Sequence, residues 1–533
     1  MIIPTSATQR IAERRCPEWA GRTLDEHLRE AAASVPQALA VADGQTRLSF
    51  AELAELTAHA AAGLRGLGVG PADVVTVMLP NWWEANVVVQ ALYRLGAVPN
   101  PLVPIYRERE LSFVLQQARP SVIVVPHVFR GTDYPELLRA SLRLAGHEAR
   151  IVVVRAQGPL PPGCLTIESM LNGGSEHQAG RVGAADADDI ALLLYTSGTT
   201  ADPKGVLHTH NTLDFEIRSI VELYGLRTGE AVFMPSPVTH ITGFLFGILM
   251  PPMLHAPAVL LDLWAPATAM RLVNEFNCRF TMGATPFLQG LVEEYRATGT
   301  GSPMRVFACG GAPVPPALVR SATTAMKTTV VRVYGSSEFP TYCSGAPSDT
   351  FEKLSSTEGK PIATARHRLE DVQDGVGELV AFGPELFAGY SDPAHDADAF
   401  TADGYFRTGD LFSEDEDGYL TVRGRKKDII IRRGENISAR EVEDLLFEHP
   451  DIADVAVVGL PDPVVGERAA AFVVLRPGAE PVTLPAIAAH LDSKHIAKQK
   501  YPEQVILLDA LPKTPSGKVQ KFILRSNMAA QAR

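Results

Sequence analysis

Short aliphatic runs alternate along the chain with longer stretches in which apolar residues recur at helical spacing. Three of the runs, at residues 74–79, 122–125 and 151–154, are typical of buried parallel strands. The stretch at 53–68 carries its apolar residues on one face of a predicted helix. This alternation predicts α/β layers joined by crossover connections.

A second arrangement is predicted near the C-terminus. Strand-like runs flank a short basic turn within residues 420–438, and a predicted helix at 439–450 leads into a further strand from Val455. Because 533 residues exceed what one compact core holds, we predict two domains, at residues 1–423 and 424–533.

The most apolar stretch of the chain lies at residues 241–264. Pro251, Pro252, His255 and Pro257 interrupt it midway, so it is too broken for a membrane-spanning helix. We predict a buried core segment with a turn, and no integral membrane segment.

Charge and cysteine content exclude several classes of function. A formal net charge of -12 argues against a general nucleic-acid binder, which needs a clustered basic surface. The five cysteines are scattered and lack metal-ligand spacing, so neither a disulfide framework nor a zinc site is predicted. Charged residues stand at the N-terminus where a secretory signal needs apolar ones, which favours the reducing cytoplasm.

The sharpest candidate for chemistry is YTSGTTADPKG at residues 195–205, directly after the apolar strand predicted at 190–194. Its hydroxyls and flexible backbone suit polyphosphate oxygens, and Lys204 adds a positive charge. The loop does not match the P-loop pattern, and a Ser/Thr/Gly loop alone is more often a plain turn. The candidate phosphate-binding residues are Thr196, Ser197, Gly198, Thr199, Thr200 and Lys204.

Four further segments carry groups suited to a nucleotide. FACGGAPVP at 307–315 has a Gly-Gly turn that a flat ring can approach closely, and VYGSSE at 333–338 offers an aromatic face and a carboxylate suited to Mg²⁺. YFRTGDL at 405–411 supplies Asp410, which can accept both ribose hydroxyls, although a helix cap is the plainer interpretation. PKTPSGKVQK at 512–521 presents a lysine on a Ser-Gly turn, where lysines are usually exposed.

This ordered series of motifs resembles that of the adenylate-forming (ANL) superfamily, which includes acyl-CoA synthetases, luciferases and peptide-synthetase adenylation domains. The resemblance extends over nearly the whole chain. It implies an α/β fold with a large multi-lobed N-terminal domain and a small, mobile α+β C-terminal domain. It also implies an acyl-CoA synthetase that uses ATP and Mg²⁺ to adenylate a carboxylic acid and then forms its coenzyme A thioester.

The resemblance further implies roles for individual residues. Tyr334 would stack on adenine, Ser337 would meet the α-phosphate, and Glu338 would hold the metal. Lys518 would be the catalytic lysine, and Lys427 the hinge about which the C-terminal domain turns between half-reactions. The other implied nucleotide contacts are Gly310, Gly311, Ala312, Pro313, Gly335, Ser336, Asp410 at the ribose, and Arg425 near it.

Two positions depart from the family pattern. Ala201 stands where the family usually has Gly, and we expect it to tune the rate without abolishing activity. Gly434 matches a glycine that lines the pantetheine tunnel for coenzyme A. Relatives often have a second Gly before it, where this chain has Arg433, so the local contacts of the tunnel are expected to differ.

The segment PSPVTHITGF at residues 235–244 resembles the family segment whose histidine gates the acyl pocket. This implies His240 as the gate, with Gly243, Thr285 and Gly335 lining the pocket, although a lone histidine among apolar residues is more often a core residue. The segment contains no acidic residue to pair with an α-amino group. An uncharged aliphatic, alicyclic or aromatic acid is therefore favoured over an amino acid.

Three alternatives stay open at this point. The adenylate could pass to a carrier protein instead of coenzyme A, or react with oxygen as in luciferases. The chain could also be an inactive nucleotide-binding protein, since family likeness does not guarantee activity. Ser197, Lys204, Glu338, Asp410 and Lys518 all match the family's functional positions, which argues against the last alternative.

Overall fold

The N-terminal lobe is built on a parallel sheet. The computed structural model describes residues 3–14, 16–44, 46–173, 185–196, 203–432, 435–462, 464–514 and 518–531. The helices up to residue 173 are α1 (Thr5–Arg14), α2 (Asp25–Ser34), α3 (Phe50–Gly66), α4 (Trp83–Leu95), α5 (Glu108–Ala118), α6 (Tyr134–Ala145) and α7 (Ile167–Gly173). The strands there are β1 (Leu39–Asp43), β2 (Thr46–Ser49), β3 (Val74–Val77), β4 (Val98–Pro101), β5 (Val122–Pro126), β6 (Val128–Phe129), β7 (Thr132–Asp133), β8 (Arg150–Val154) and β9 (Cys164–Thr166).

The three strands predicted from aliphatic runs are confirmed as β3, β5 and β8. They lie in a five-stranded, all-parallel sheet of order β4-β3-β5-β8-β9. The predicted helix is α3, which begins earlier than predicted because Ser49 and Glu52 form a capping box at its first turn. Helices pack on this sheet and bury its aliphatic side chains in the largest core of the protein.

A second, larger sheet occupies residues 185–361, together with β1 and β2. Its helices are α8 (His210–Tyr224), α9 (Ile241–Phe244), α10 (Met250–Met253), α11 (Pro266–Glu275), α12 (Thr285–Thr298), α13 (Pro316–Met326) and α14 (Phe351–Ser356), with a π-helical turn at Leu245–Leu249. The strands of this region are β10 (Ile190–Thr196) and β11 (Lys204–Thr209), which pair in a separate small sheet, and the following strands, which join the larger sheet: β12 (Val232–Met234), β13 (Ala258–Leu260), β14 (Phe280–Gly283), β15 (Val306–Cys309), β16 (Thr329–Tyr334), β17 (Cys343–Ser344) and β18 (Lys360–Pro361).

This sheet has nine strands in the order β18-β17-β16-β15-β14-β12-β13-β1-β2. The run from β16 to β1 is parallel, so the carboxyl ends of β14, β15 and β16 meet at one edge. Ligands of open parallel sheets bind outside that edge. The predicted nucleotide turns at 310–313 and 334–338 follow two of these strands directly.

The apolar stretch at 241–264 is a core segment with a turn, as predicted. It contains α9, the π-helical turn, α10 and β13, and most of its side chains are buried. Among the helices that the structure describes, none has the length and apolar character that a membrane crossing requires.

The rest of the chain forms two smaller sheets and adds one short strand to the sheet of β10 and β11. Its helices are α15 (Asp396–Ala399), α16 (Ala439–Leu446), α17 (Leu484–Ser493) and α18 (Lys521–Gln531), with 3₁₀ turns at Pro393–His395, Lys426–Asp428 and Lys498–Lys500. Its strands are β19 (Arg366–Gln373), β20 (Val376–Phe382), β21 (Gly389–Tyr390), β22 (Phe406–Glu414), β23 (Leu420–Arg425), β24 (Ile429–Arg432), β25 (Glu435–Ser438), β26 (Ile452–Asp462), β27 (Gly466–Leu475) and β28 (Gln504–Leu507).

Strands β19, β20, β22 and β23 form an antiparallel sheet, whereas β24 to β28 form a separate five-stranded sheet with α16 against it. The chain passes from one sheet to the other through the 3₁₀ turn Lys426–Asp428, which contains the predicted hinge. The second sheet has a core of its own, with Ile430, Val442 and Val457 fully buried. We call residues 429–531 the C-terminal module.

Candidate active site

Some of the predicted site residues meet in one cleft of about 530 Å³. It lies between the carboxyl edge of the nine-stranded sheet, the β22–β23 hairpin and the C-terminal module. Predicted site residues in its lining are Thr285, Gly311, Ala312, Pro313, Tyr334, Gly335, Asp410, Arg425, Lys427 and Lys518. Motifs that are far apart in the sequence therefore share one site.

One wall of the cleft carries a hydrogen-bonded group of three side chains. Tyr334 Oη donates to Asp410 Oδ2 at 2.6 Å, and Arg425 Nε lies 2.8 Å from Asp410 Oδ1. Asp410 and Arg425 are directly paired across β22 and β23, so Asp410 lies in a strand and is not a helix cap. Burial and the neighbouring Asp410 raise the pKa of Tyr334, which keeps the phenol protonated as a donor. The group offers a ribose one acceptor and one cation.

The glycines of the predicted adenine and acyl pockets are explained first by packing. A Cβ on Gly335 would collide with the Pro340 carbonyl, and one on Gly310 would lie 2.5 Å from the Val333 carbonyl. A Cβ on Gly243 would likewise collide with the backbone of Pro237. These contacts require glycine without any ligand, so the binding roles of the three glycines stay predictions.

The two serines after Gly335 position the carboxylate that follows them. Ser336 Oγ accepts hydrogen bonds from the backbone N–H groups of Glu338 and Phe339, both at 3.2 Å. The Ser337 carbonyl accepts one from His208 Nε2 at 2.8 Å. The hydroxyl of Ser336 thus closes the turn, in addition to its predicted contact with the nucleotide.

Glu338 has a partner that the sequence did not reveal. Tyr390 Oη donates to Glu338 Oε1 at 2.7 Å, and Lys204 Nζ lies 5.0 Å from the centre of the Tyr390 ring. Burial and Glu338 raise the pKa of Tyr390, so the phenol stays a donor. One tyrosine therefore contacts both the predicted metal ligand and the predicted phosphate lysine.

Tyr390 is held by its backbone. Its strand β21 pairs with β11, which begins at Lys204, and Arg10 of α1 donates to the Ala388 carbonyl at 2.7 Å. The space beside Gly389 is filled by the Arg10 guanidinium. No local motif marks Tyr390, and its role follows only from these tertiary contacts.

The structure places both ends of the predicted phosphate loop. Thr196 and Lys204 face each other across β10 and β11, and the Thr196 hydroxyl donates to the Lys204 carbonyl at 3.5 Å. The predicted contacts of Ser197, Gly198, Thr199 and Thr200 lie outside the described residues, as does Ala201.

His240, the predicted gate of the acyl pocket, is the residue before α9. Burial, and to a lesser extent the cation of Lys518, lower its pKa to about 4. The imidazole is therefore neutral at neutral pH. Thr285, also predicted for this side, donates from its hydroxyl to the Pro313 carbonyl at 2.8 Å, so it fixes the adenine-side turn.

Asn81 holds the segment that leads to His240. Its two amide hydrogens are shared among the carbonyls of Met234, Ser236 and Leu261 at 3.1, 2.9 and 3.0 Å, and its carbonyl accepts from Val238 N at 2.8 Å. The side chain is buried, so these hydrogen bonds have no competition from solvent. The signal in the sequence is a polar residue directly after the apolar run at 74–79 and Pro80.

Lys518 brings the C-terminal module into the cleft. Burial, followed by the cation of Arg425, lowers its pKa to about 8, while Asp410 and Glu338 act in the opposite direction. The same lysine interacts electrostatically with His240. It thus lies within electrostatic reach of both Asp410 and the predicted acyl-pocket histidine.

The predicted hinge and tunnel residues differ in what the structure says of them. Lys427 lines the cleft, and burial and Arg425 lower its pKa. Gly434 and its neighbour Arg433 lie outside the described residues. The cleft thus combines the Asp410 carboxylate with the cationic side chains of Arg425, Lys427 and Lys518, which is suited to an anionic nucleotide.

Comparison with known proteins decides the family. The sequence model described as AMP-binding enzyme matches residues 28–391, and that of the AMP-binding enzyme C-terminal domain matches residues 441–518. The chain belongs to the AMP-binding enzyme family. The predicted adenylate-forming superfamily and fold are thereby confirmed.

Relatives of this AMP-binding enzyme match it over nearly its whole length. The medium-chain fatty-acid–CoA ligase of Escherichia coli is 33% identical over 529 residues, covering 98% of this chain and 93% of that protein. The 2-hydroxy-7-methoxy-5-methyl-1-naphthoate–CoA ligase of Streptomyces carzinostaticus is 35% identical over 532 residues, covering 95% and 93%. The salicyl-AMP ligase / salicyl-S-ArCP synthetase of Mycobacterium tuberculosis is 32% identical over 541 residues, covering 98% and 93%.

Solved structures show the same fold. ATP-bound MatB from Rhodopseudomonas palustris superposes with a TM-score of 0.84 at 26% identity, covering 95% of this chain and 99% of that one. The anthranilate CoA ligase AuaEII in complex with anthranoyl-AMP gives 0.88 at 22% identity, covering 98% and 99%. The chain is an AMP-forming acid–thiol ligase, as predicted.

Proposed function

We propose that this enzyme joins an uncharged carboxylic acid to coenzyme A in two steps with ATP and Mg²⁺. In the first step the carboxylate attacks the α-phosphorus of ATP, and pyrophosphate leaves. In the second, the thiolate of coenzyme A attacks the acyl carbon, and AMP leaves. The observation that supports this most is the placement of Lys518 in one cleft with Asp410 and Arg425.

Lys518 addresses the main barrier of the first step, which is the approach of two anions. A cation between the acid and the α-phosphate offsets their repulsion as charge develops on the phosphoryl oxygens. With a pKa of about 8 in the free cleft, Lys518 is mostly protonated at pH 7. Binding of two anionic groups beside it raises that pKa further.

The ribose and the phosphates are held from opposite sides in this proposal. Asp410 accepts from the ribose hydroxyls and Arg425 lies beside them, while Lys204 and the 197–200 segment bind the outer phosphates. Holding the α-phosphorus in line with the incoming carboxylate converts a bimolecular reaction into an effectively unimolecular one.

Glu338 fits Mg²⁺. One of its oxygens accepts from Tyr390, and within the described residues its carboxylate takes part in no ion pair. Mg²⁺ sites in nucleotide enzymes commonly use one or two carboxylates plus substrate phosphates. When bound, the ion would supply positive charge to the phosphate oxygens. Tyr390 would fix the orientation of the Glu338 carboxylate toward it.

The second step requires Lys518 to leave the acyl carbon. We propose that the domain of residues 424–533 turns about Lys427 relative to residues 1–423, and that this movement brings Gly434 to the pantetheine arm. The turn Lys426–Asp428 joins two separate sheets, so a φ/ψ change there displaces the module without breaking a strand pair.

The acid itself is proposed to be uncharged apart from its carboxylate. His240 is neutral at pH 7 because of its lowered pKa, and its segment supplies no acidic partner for an amino group. Relatives are named for a fatty acid, a naphthoic acid and salicylic acid, so the panel of test acids should span aliphatic and aromatic classes.

The experiment is a two-stage assay with the full chain. Pyrophosphate release is first measured with ATP, MgCl₂ and each acid, and accepted acids are then supplied with coenzyme A or with a phosphopantetheinyl carrier protein. Stoichiometric AMP and acyl-CoA, detected by mass spectrometry, support the proposal. Acylation of the carrier without acyl-CoA would favour the carrier-protein alternative. No pyrophosphate release with any acid would refute adenylation by this chain.

A further inference from the structure

Glu358 is a buried carboxylate at the edge of the cleft, next to the nucleotide wall. It accepts hydrogen bonds from Arg332 of β16 and, at 2.8 Å, from the backbone N–H of Val422. Arg332 also donates to the Ser355 carbonyl at 3.1 Å. The charge of Glu358 is thus already compensated by residues outside the C-terminal module.

A second arginine reaches Glu358 from the C-terminal module. Arg440 Nη2 lies 3.3 Å from Glu358 Oε1, and Arg440 Nε lies 3.6 Å from Asp444 Oδ2. The Arg440 side chain is 17% exposed and that of Glu358 5%. Within the described ranges, this is the one ion pair that joins residues 429–531 to residues before 424.

Arg440 is mechanically connected to Lys518. Both Arg440 and Glu443 lie on α16, and Lys521, three residues after Lys518, forms an ion pair with Glu443 at 2.7 Å. Glu443 also accepts from Val457 N of β26 at 2.6 Å. These buried contacts make α16 and the Lys518 segment move as one body, so withdrawal of Lys518 must also pull Arg440 away from Glu358.

We propose that Arg440 is a positioning residue that favours the adenylating arrangement: its guanidinium anchors on Glu358 only while Lys518 occupies the nucleotide cleft. The inference rests on the proposed two-step function. Losing Arg440 leaves the Arg332–Glu358 pair intact, so the N-terminal core keeps its charge balance. The equilibrium between the two positions of the C-terminal module then shifts only by the free energy of the Arg440–Glu358 contact, which is made in one position and is absent from the other.

The test separates the two half-reactions in Arg440→Ala. We expect ATP–pyrophosphate exchange with an accepted acid to fall about 10-fold, as for loss of one partly exposed charged hydrogen bond. Thioester formation from pre-formed acyl adenylate and coenzyme A should be unchanged or faster. Arg440→Lys keeps the charge but lacks the planar guanidinium, so its rate of ATP–pyrophosphate exchange should lie between those of wild type and Arg440→Ala.

Arg468→Ala is the matched control. Arg468 pairs with Asp462 inside the same module, so its loss removes an ion pair without touching the contact with Glu358. It should leave both half-reactions within about twofold of wild type, because the Arg468 side chain is 56% exposed and its charge is screened by solvent.

A second readout needs no substrate. Trypsin should cut the Lys426–Asp428 turn several-fold faster in Arg440→Ala than in wild type or Arg468→Ala, because the released module exposes the turn. Equal loss of both half-reactions, or unchanged adenylation with unchanged cleavage, would overturn the role of Arg440. A wild-type enzyme without either half-reaction would instead refute the proposed function, and the cleavage comparison would still decide on Arg440.

Discussion

The pH dependence of adenylation is a direct test of Lys518. If its cation is needed in the first step, activity must fall as the free lysine loses its proton. Burial and Arg425 lower its pKa from the ordinary 10.5 to about 8. At about 1.4 kcal/mol per pKa unit, this corresponds to roughly 3 kcal/mol of disfavoured charge on Lys518.

The sign follows from which form is active. Below pH 8 Lys518 is mostly cationic, and above pH 8 the active fraction falls tenfold per pH unit. For adenylation, kcat/KM for ATP reports the free enzyme and should therefore show a basic limb near pH 8. In the complex of the enzyme with ATP and the acid, the anionic groups stabilise the Lys518 cation. The basic limb of the kcat profile should therefore lie at higher pH. Thioester formation should rise over the same range, because thiols ionise near pH 8.5.

The assay is ATP–pyrophosphate exchange between pH 6 and 10, with wild type, Lys518→Arg and Lys518→Ala. Lys518→Arg keeps its charge throughout, so its slower reaction should lose the basic limb. Lys518→Ala should be slower by about 10²-fold or more and equally flat. A limb near pH 8 that persists in Lys518→Arg would show that another group titrates, and the argument for Lys518 would be wrong.

Three further predictions follow from buried contacts. Tyr390→Phe removes the hydrogen bond to Glu338 and should raise the Mg²⁺ concentration for half-maximal adenylation about 3- to 10-fold. The control is Tyr224→Phe, which removes a buried hydrogen bond to Ser344 of 2.8 Å and should leave this concentration unchanged. Equal Mg²⁺ dependence of the two variants refutes the role of Tyr390. Asn81→Ala frees the acyl-side loop and should lower kcat/KM for the acid about 10-fold with little change in KM for ATP; equal effects on both substrates contradict it. Burial raises the pKa of Glu216 from 4.5 to about 8, so its contribution to stability is present below pH 4.5 and lost as pH rises to 8. Glu216→Gln should therefore raise Tm at pH 9 but not at pH 5, and the opposite order in thermal denaturation would disprove the assignment.

Much of the fold was predictable because its signals are local. The aliphatic runs at β3, β5 and β8 can only be satisfied by burial on both faces, which parallel strands provide. The ends of helices were less predictable, because they depend on capping contacts such as that of Ser49. The strand order was not predictable, since β1 pairs with β13 more than 200 residues away, and no local pattern encodes such a pairing.

Residues that line the cleft were predictable where they lie in a motif of the family. Asp410 and Arg425 were found by resemblance, and the structure shows how strand pairing brings them together. Tyr390 and Asn81 were not found, because each acts through other side chains or backbone groups and neither carries a local motif. Ser336 had a predicted contact with the nucleotide, yet its hydroxyl also closes the turn before Glu338.

Strand β16 shows why contacts between residues of the chain itself are not predictable from motifs, although they support the site. Arg332 and Tyr334 are two residues apart, so their side chains leave the strand on the same face. Tyr334 reaches Asp410 on the wall of the cleft, and Arg332 reaches Glu358, which also contacts Arg440 of the module. One strand face thus supports the Asp410 wall and, by our proposal, also the position of the domain that carries Lys518. Tyr334 lies in a motif because its partner is a common ligand, whereas the partner of Arg332 is a residue of this chain, visible only once the chain is folded.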